Sequence, residues 1–151
     1  MKQGATGEAR VHVDAAPQQV YDIVSDVTRM GEWSPECRDA EWTEGCTGPE
    51  ADARFLGHNQ AGDFTWSVPC MITECVEGKV FAFYAGDGSA RSTTWRFELE
   101  PSAAGTRLTE SFDAPMINIE GSASNFAGRY EMLVAGAQTT IANIKAAAER
   151  T

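Results

Sequence analysis

The sequence has few basic residues, and they do not cluster. The chain of 151 residues contains 12 Lys and Arg against 22 Asp and Glu, which gives a net charge of −10. A protein with this charge repels phosphate backbones and anionic lipid surfaces unless a basic patch compensates. Because the Lys and Arg residues are scattered singly along the chain, we expect no nucleic-acid partner.

Long apolar runs are absent as well. No stretch approaches the roughly 18 apolar residues that a membrane-spanning helix needs. The first residues, MKQGATGEARVHV, lack the apolar core of a signal peptide. We therefore expect a soluble protein of the cytoplasm with no membrane insertion.

The cysteines form no recognisable metal or redox motif. There are four, Cys37, Cys46, Cys70 and Cys75, and their spacing matches no C-x-x-C pattern. Cys70 and Cys75 fall in one predicted strand at an odd separation, so their side chains point to opposite faces and cannot bridge each other. Free thiols in a reducing compartment are the simplest interpretation.

Familiar catalytic groupings are missing too. The sequence contains no Ser-His-Asp or Cys-His grouping, no glycine-rich phosphate loop and no cluster of metal ligands. We expect neither a metal nor a cofactor, and these patterns alone leave open whether the protein is an enzyme.

Short alternating segments followed by one long amphipathic helix dominate what is present. Between residues 122 and 150 the large apolar residues recur in steps of three and four. Pro17 begins a short helix that ends near Asp26, and a brief helical turn follows at residues 27–31. Alternation and turn residues predict seven strands, at about residues 8–13, 36–43, 51–60, 63–76, 79–85, 91–100 and 105–114.

This order of elements predicts a single α+β domain over residues 1–151. A run of strands before a long helix favours one curved antiparallel sheet of seven strands packed on that helix, with two short helices after the first strand. Such an arrangement tends to enclose a cavity. Pro69 is expected at an edge or a bulge, where the long fourth strand bends.

The period of two also sorts the side chains into faces. Apolar residues share the face that we expect to point inward, and flat aromatic rings there suit an aromatic ligand, although they also suit an ordinary core. Trp33, in a turn beside the mouth of the sheet, is the candidate entrance residue. The residues predicted to bind the ligand are Trp33, Phe55, Asn59, Trp66, Val68, Cys70, Trp95, Phe97, Phe112, Phe126 and Tyr130.

Glu110 breaks the apolar pattern of its strand. It lies between Leu108 and Phe112 on the inward face, where desolvation would raise the pKa of its carboxyl. The group could then act as an acid, a base or a ligand anchor. The alternative is a structural role, in which it pairs with an inward Arg or hydrogen-bonds to Asn59, Tyr130 or a buried water.

His58 has two readings. If Phe55 points inward, His58 points outward and Asn59 shares the inward side, where its amide could orient a ligand. If Leu56 is the inward residue instead, His58 joins the cavity and becomes a base that titrates near neutral pH.

Several short segments resemble one protein family. They are VDAAP at residues 13–17, VYDIVSD at 20–26, WSPE at 33–36, ARF at 53–55, GHN at 57–59 and LTESF at 108–112. Together with the order of elements, they resemble the polyketide cyclase/dehydrase branch of the START-like, or Bet v 1-like (SRPBCC), superfamily. The resemblance covers essentially the whole chain and implies the helix-grip fold.

That branch contains aromatase/cyclases, lipid carriers and members without an assigned activity, so the fold alone does not decide the chemistry. The first hypothesis is a protein, monomeric or homodimeric, that binds a small hydrophobic molecule, aromatic or lipid-like, between sheet and helix. The second is an enzyme resembling the aromatase/cyclases, a polyketide cyclase or dehydratase in which Glu110 is the acid or base. The third is a protein-interaction module whose interior is filled by its own side chains.

Overall fold

A computed structural model of the protein describes residues 2–35, 37–61, 63–86, 93–118 and 123–150. These residues form seven strands, two α-helices and one 3₁₀ helix, joined by turns and loops. In chain order they are β1 (Lys2–Val13), α1 (Pro17–Val24), the 3₁₀ helix (Val27–Glu32), β2 (Cys37–Trp42), β3 (Arg54–Ala61), β4 (Phe64–Val76), β5 (Val80–Ala85), β6 (Thr93–Ser102), β7 (Gly105–Asn118) and α2 (Ala123–Glu149).

The seven strands form one antiparallel sheet in the order β1-β7-β6-β5-β4-β3-β2. Only β1 pairs out of sequence order, because it lies beside the last strand along nearly its whole length, from Lys2 opposite Asn118 to Val13 opposite Thr106. The predicted α+β class and the helix-grip arrangement are confirmed.

Some strand limits differ from the prediction. The first and last strands extend further, to Lys2 and to Asn118, because each provides the other with a partner that the alternation pattern does not reveal. The third strand begins at Arg54 rather than near residue 51, since Asp52 adopts a left-handed backbone with φ of 68° that belongs to a turn.

The two short helices follow β1 in the chain and precede β2. Pro17 occupies the first turn of α1, where its missing N–H costs nothing. This helix buries Val20, Tyr21, Ile23 and Val24. Asp26 then caps the 3₁₀ helix by accepting a hydrogen bond from the backbone N–H of Thr28 at 3.1 Å.

Pro69 pairs with Leu56 of β3, but the regular pairing of β4 with β5 starts only at Cys70. The carbonyl oxygen of Pro69 accepts a hydrogen bond from the N–H of Gly86 at 2.9 Å, just beyond the end of β5. The proline nitrogen points to the same side of the strand, where the regular ladder with β5 has already ended. The irregularity in this pairing lies further along, between Ile72 and Glu74.

The core lies between the concave face of the sheet and α2. The sheet contributes Phe55, Ile72, Phe81 and Leu108, each at most 1% exposed. Where the burial of α2 is described, at residues 131 and 133–149, its buried residues recur at helical spacing, and they are Leu133, Ala137, Thr140, Ile141, Ile144, Ala147 and Ala148. The terminal helix therefore buries one face along the sheet. Within the part of the chain that the structure describes, no helix has both the length and the apolar character needed to span a bilayer.

Candidate functional site

A cavity of about 270 Å³ lies between the sheet and α2. Strands β2 to β7 form its floor, α2 covers it through Leu133, Gly136 and Thr140, and the 3₁₀ helix with the loop after it closes one end. Most of the predicted site residues lie on its wall, namely Trp33, Phe55, Asn59, Trp66, Val68, Cys70, Trp95, Phe97 and Glu110.

Phe112 lies elsewhere. It is buried on the same face of β7, but it packs in a separate small cluster with Ala114 and Leu133, against Trp95. The ring covers Gly7 of β1, which occupies the opposite position on the neighbouring strand. The side chains of Phe126 and Tyr130 lie outside the described residues.

The cavity wall also contains residues that the sequence reasoning missed. Phe83 is one, because β5 reads VFAFYA and a nearly continuous apolar run gives no alternation from which to choose a face. Thr140 is another. It follows Leu133 by seven residues and Gly136 by four, so the helical spacing could have identified it despite its hydroxyl.

Glu110 is buried, and one of its two carboxyl oxygens lacks a hydrogen-bond partner in the described part of the chain. It is 3% exposed, and on β7 it stands between Ala9 of β1 and Phe97 of β6. Its Oε1 atom has no hydrogen-bond partner among the described residues. Burial raises the pKa of the Glu110 carboxyl well above its usual value, because the charged form loses its hydration. The protonated acid is therefore favoured, and it offers both a donor and an acceptor.

Two thiols face the cavity on either side of a glycine. Cys37 of β2 and Cys70 of β4 are both buried, and Gly57 of β3 lies between these strands without a side chain to fill the gap. Burial raises the pKa of Cys37 to about 11 and that of Cys70 to about 12. Both thiols are therefore neutral and poorly nucleophilic at neutral pH, so they act as small apolar surface.

Trp33 is a buried residue of the cavity wall and not an exposed residue at its entrance. Although it lines the cavity, it is only 2% exposed. The Arg29 guanidinium carbon lies 5.7 Å from the centroid of its ring, and Arg29 is itself held by Glu32 through Nε at 2.9 Å. These contacts fix the indole at one end of the cavity.

His58 points away from the cavity. Phe55 is the inward residue of this stretch, at 1% exposed. His58 instead lies on the outer face, where Nδ1 is 2.9 Å from Ser67 Oγ and Nε2 is 3.1 Å from Glu41 Oε1. Of the two predicted orientations, the outward one is observed. The imidazole lies on the opposite face of the sheet from the cavity and cannot act as its base.

Residues 5–149 match the family described as polyketide cyclase / dehydrase and lipid transport. No curated protein matches the sequence. Among solved structures, a Polyketide_cyc-like protein from Corynebacterium glutamicum is 29% identical, with a TM-score of 0.69 over 99% of this chain and 94% of that one.

Two more distant structures share the fold. The di-domain ARO/CYC StfQ from the steffimycin biosynthetic pathway is 16% identical, with a TM-score of 0.78 over 98% of this chain and 51% of that one. Ara h 8.0201 is 13% identical, with a TM-score of 0.72 over 98% of this chain and 99% of that one.

Proposed function

The chain belongs to the polyketide cyclase/dehydrase and lipid transport family, and from this we propose that it binds a small hydrophobic molecule in the cavity between the sheet and α2. Aromatic side chains supply most of the contact area. Glu110 and Asn59 supply polar contacts that orient the ligand.

The cavity is the observation that carries this proposal. An apolar cavity of about 150 Å³ is enough to admit benzene, and drug-sized ligands occupy roughly 300 to 1,000 Å³. At about 270 Å³, the space suits a molecule larger than one aromatic ring. A protein-interaction module with a filled interior would have close-packed side chains here, so the cavity weighs against that third function.

Native mass spectrometry of freshly purified protein tests the proposal by revealing a co-purified small molecule. Val68→Phe, which places a ring in the cavity, should abolish that adduct. Thr65→Phe is the matched control, because Thr65 is exposed on the outer face of the same strand. An adduct that persists in V68F but is lost in T65F would contradict binding in this cavity.

A second candidate function is catalysis of cyclisation or dehydration, and Glu110 is the observation that favours it. A carboxylic acid kept protonated inside an apolar cavity can donate a proton to a carbonyl or hydroxyl oxygen of a bound chain and then accept one back. The cavity would hold that chain folded, which supplies most of the rate acceleration. The structural likeness to the di-domain ARO/CYC StfQ supports this function.

The variant Glu110→Gln separates the two functions. In an enzyme it should lose turnover of a poly-β-keto substrate while it retains binding, because the amide preserves the shape but cannot transfer the proton. A carrier has no turnover from the start, and the substitution should change its affinity alone. If E110Q kept the activity of the wild-type protein, Glu110 would not be the acid or base of the reaction.

A further inference from the structure

The described part of the cavity wall carries one acidic side chain and no basic one. Of the residues that line it there, Glu110 is the carboxylic acid, and none is Lys, Arg or His. The other titratable groups facing this space are the thiols of Cys37 and Cys70, whose raised pKa values keep them neutral. The remaining polar side chains of this wall are hydroxyls, indoles and the amide of Asn59, which carry no charge.

Glu110 has a carboxyl oxygen that the described residues do not satisfy. A buried polar group without a hydrogen bond is costly, and proteins rarely leave one. Oε1 has no partner among the described residues, yet the side chain lines the cavity. A ligand oxygen in the cavity could satisfy the carboxyl group after a rotation that turns the buried Oε1 towards it.

The chemistry of that ligand follows from the charges. An anionic group entering this space would lose its hydration and would meet no described cation to compensate for that loss, and both contributions are unfavourable. A neutral carbonyl or hydroxyl oxygen accepts a hydrogen bond from the protonated carboxyl without these costs.

We infer, on the basis of the proposed ligand-binding function, that the cavity selects uncharged molecules bearing an oxygen that accepts a hydrogen bond from Glu110, and that it rejects carboxylates of the same shape. Fatty acids and other anionic lipids are thereby excluded. The ligand class narrows to neutral aromatic or aliphatic compounds with a carbonyl or hydroxyl group.

Three naphthalene probes of nearly equal shape test this selection. They are 2-acetonaphthone, with a neutral carbonyl, 2-naphthoate, with a carboxylate, and 2-ethylnaphthalene, with no oxygen. Affinity is measured at pH 6 by quenching of tryptophan fluorescence, since Trp33, Trp66 and Trp95 all line the cavity. We expect the ketone to bind at least about tenfold more tightly than the carboxylate and several-fold more tightly than the hydrocarbon.

Two variants assign the selection to Glu110. In E110Q the amide N–H can still donate, so the preference for the ketone over the hydrocarbon should remain. The carboxylate should stay disfavoured, because Gln supplies no positive charge. In E110L the preference for the ketone over the hydrocarbon should disappear. Circular dichroism and denaturant unfolding establish that both variants are folded.

The outcomes separate this inference from the function on which it rests. If the naphthoate binds wild-type protein as tightly as the ketone, the charge selection is wrong and ligand binding stands. If E110L keeps the ketone preference, the hydrogen bond from Glu110 is wrong. If none of the three probes binds, both the selection and the ligand-binding function are contradicted.

Discussion

The side chain of Asn143 on α2 donates a hydrogen bond from Nδ2 to the backbone carbonyl oxygen of Trp33 at 3.0 Å. These residues are 110 positions apart in the chain. The bond fastens the loop that closes one end of the cavity to the helix that covers it. A carbonyl in this loop has no strand ladder to satisfy it, so the side chain supplies what the irregular backbone lacks.

Asn143→Ala should therefore destabilise the protein by about 1 kcal/mol, the usual net contribution of such a hydrogen bond. Urea unfolding measures the loss as a lower midpoint with an unchanged slope. Gln138→Ala is the control, because Gln138 is an exposed residue of the same helix. Equal stability of N143A and Q138A would mean that the bond contributes nothing.

The burial of Glu110 predicts a pH-dependent stability of definite sign. Because the folded state raises the pKa of this carboxyl above its unfolded value, the folded protein retains the proton longer than the unfolded chain. The contribution of Glu110 to stability is therefore greatest below the unfolded value, near pH 4, and falls as the pH rises towards the folded pKa. Between the two values the loss is about 1.4 kcal/mol per pH unit.

Glu110→Gln removes this contribution, because the amide does not ionise. Wild-type protein and E110Q should have similar stability near pH 4, and E110Q should become progressively the more stable as the pH rises. Denaturant unfolding at intervals across this range measures the difference. Glu100→Gln, at an exposed position on the outer face of β6, is the control. A constant difference between wild type and E110Q at every pH would contradict the burial of the acid.

Gly136 links helix stability to cavity volume. A Cβ atom added there would lie 3.7 Å from Pro35 Cγ, which is an ordinary contact, so alanine fits. Glycine inside a helix costs about 1 kcal/mol relative to alanine. Gly136→Ala should therefore stabilise the protein by a similar amount while it reduces the cavity that Gly136 lines.

The measurement combines thermal unfolding with the affinity for 2-acetonaphthone. Ala135→Gly at the neighbouring exposed position is the matched variant, and it should lose about 1 kcal/mol of stability without a change in the cavity. If G136A and A135G alter the affinity equally, the glycine does not serve to make space.

The limits of the sequence reasoning follow from the kind of information each residue carries. The alternation in β7 predicted that Glu110 shares a face with Leu108 and Phe112, and the structure places it there. Alternation with a period of two predicts which face of the sheet a side chain lies on, but it does not predict where along that face the cavity lies. Phe112 consequently lies on the expected side of the sheet and yet outside the cavity wall.

Pairing between distant strands is the other limit. The extension of β1 to Lys2 and of β7 to Asn118 depends on each strand having the other as its neighbour. No local pattern in residues 2–7 predicts this pairing. Phe83 was missed for a related reason, because a strand buried on both faces loses its alternation.

The contact between Gly7 and Phe112 tests how β1 packs against β7. A Cβ atom on Gly7 would lie 2.7 Å from Cζ of Phe112 and 2.8 Å from its Cε1, closer than carbon atoms pack. The ring is buried at 3% exposed and lies beside Trp95, with centroids 5.6 Å apart, so it has little freedom to move aside. Gly7→Ala should cost about 1 to 3 kcal/mol, as overpacking of a core does.

Gly57→Ala is the matched control, because no atom lies nearer than 3.8 Å to a Cβ at that position. It should leave stability unchanged or raise it slightly, since alanine restricts the unfolded chain. The double variant G7A/F112L should recover part of the loss, because the smaller side chain makes room for the added methyl group. Additive effects of the two substitutions, measured by urea unfolding in a double-mutant cycle, would mean that the ring does not depend on the glycine.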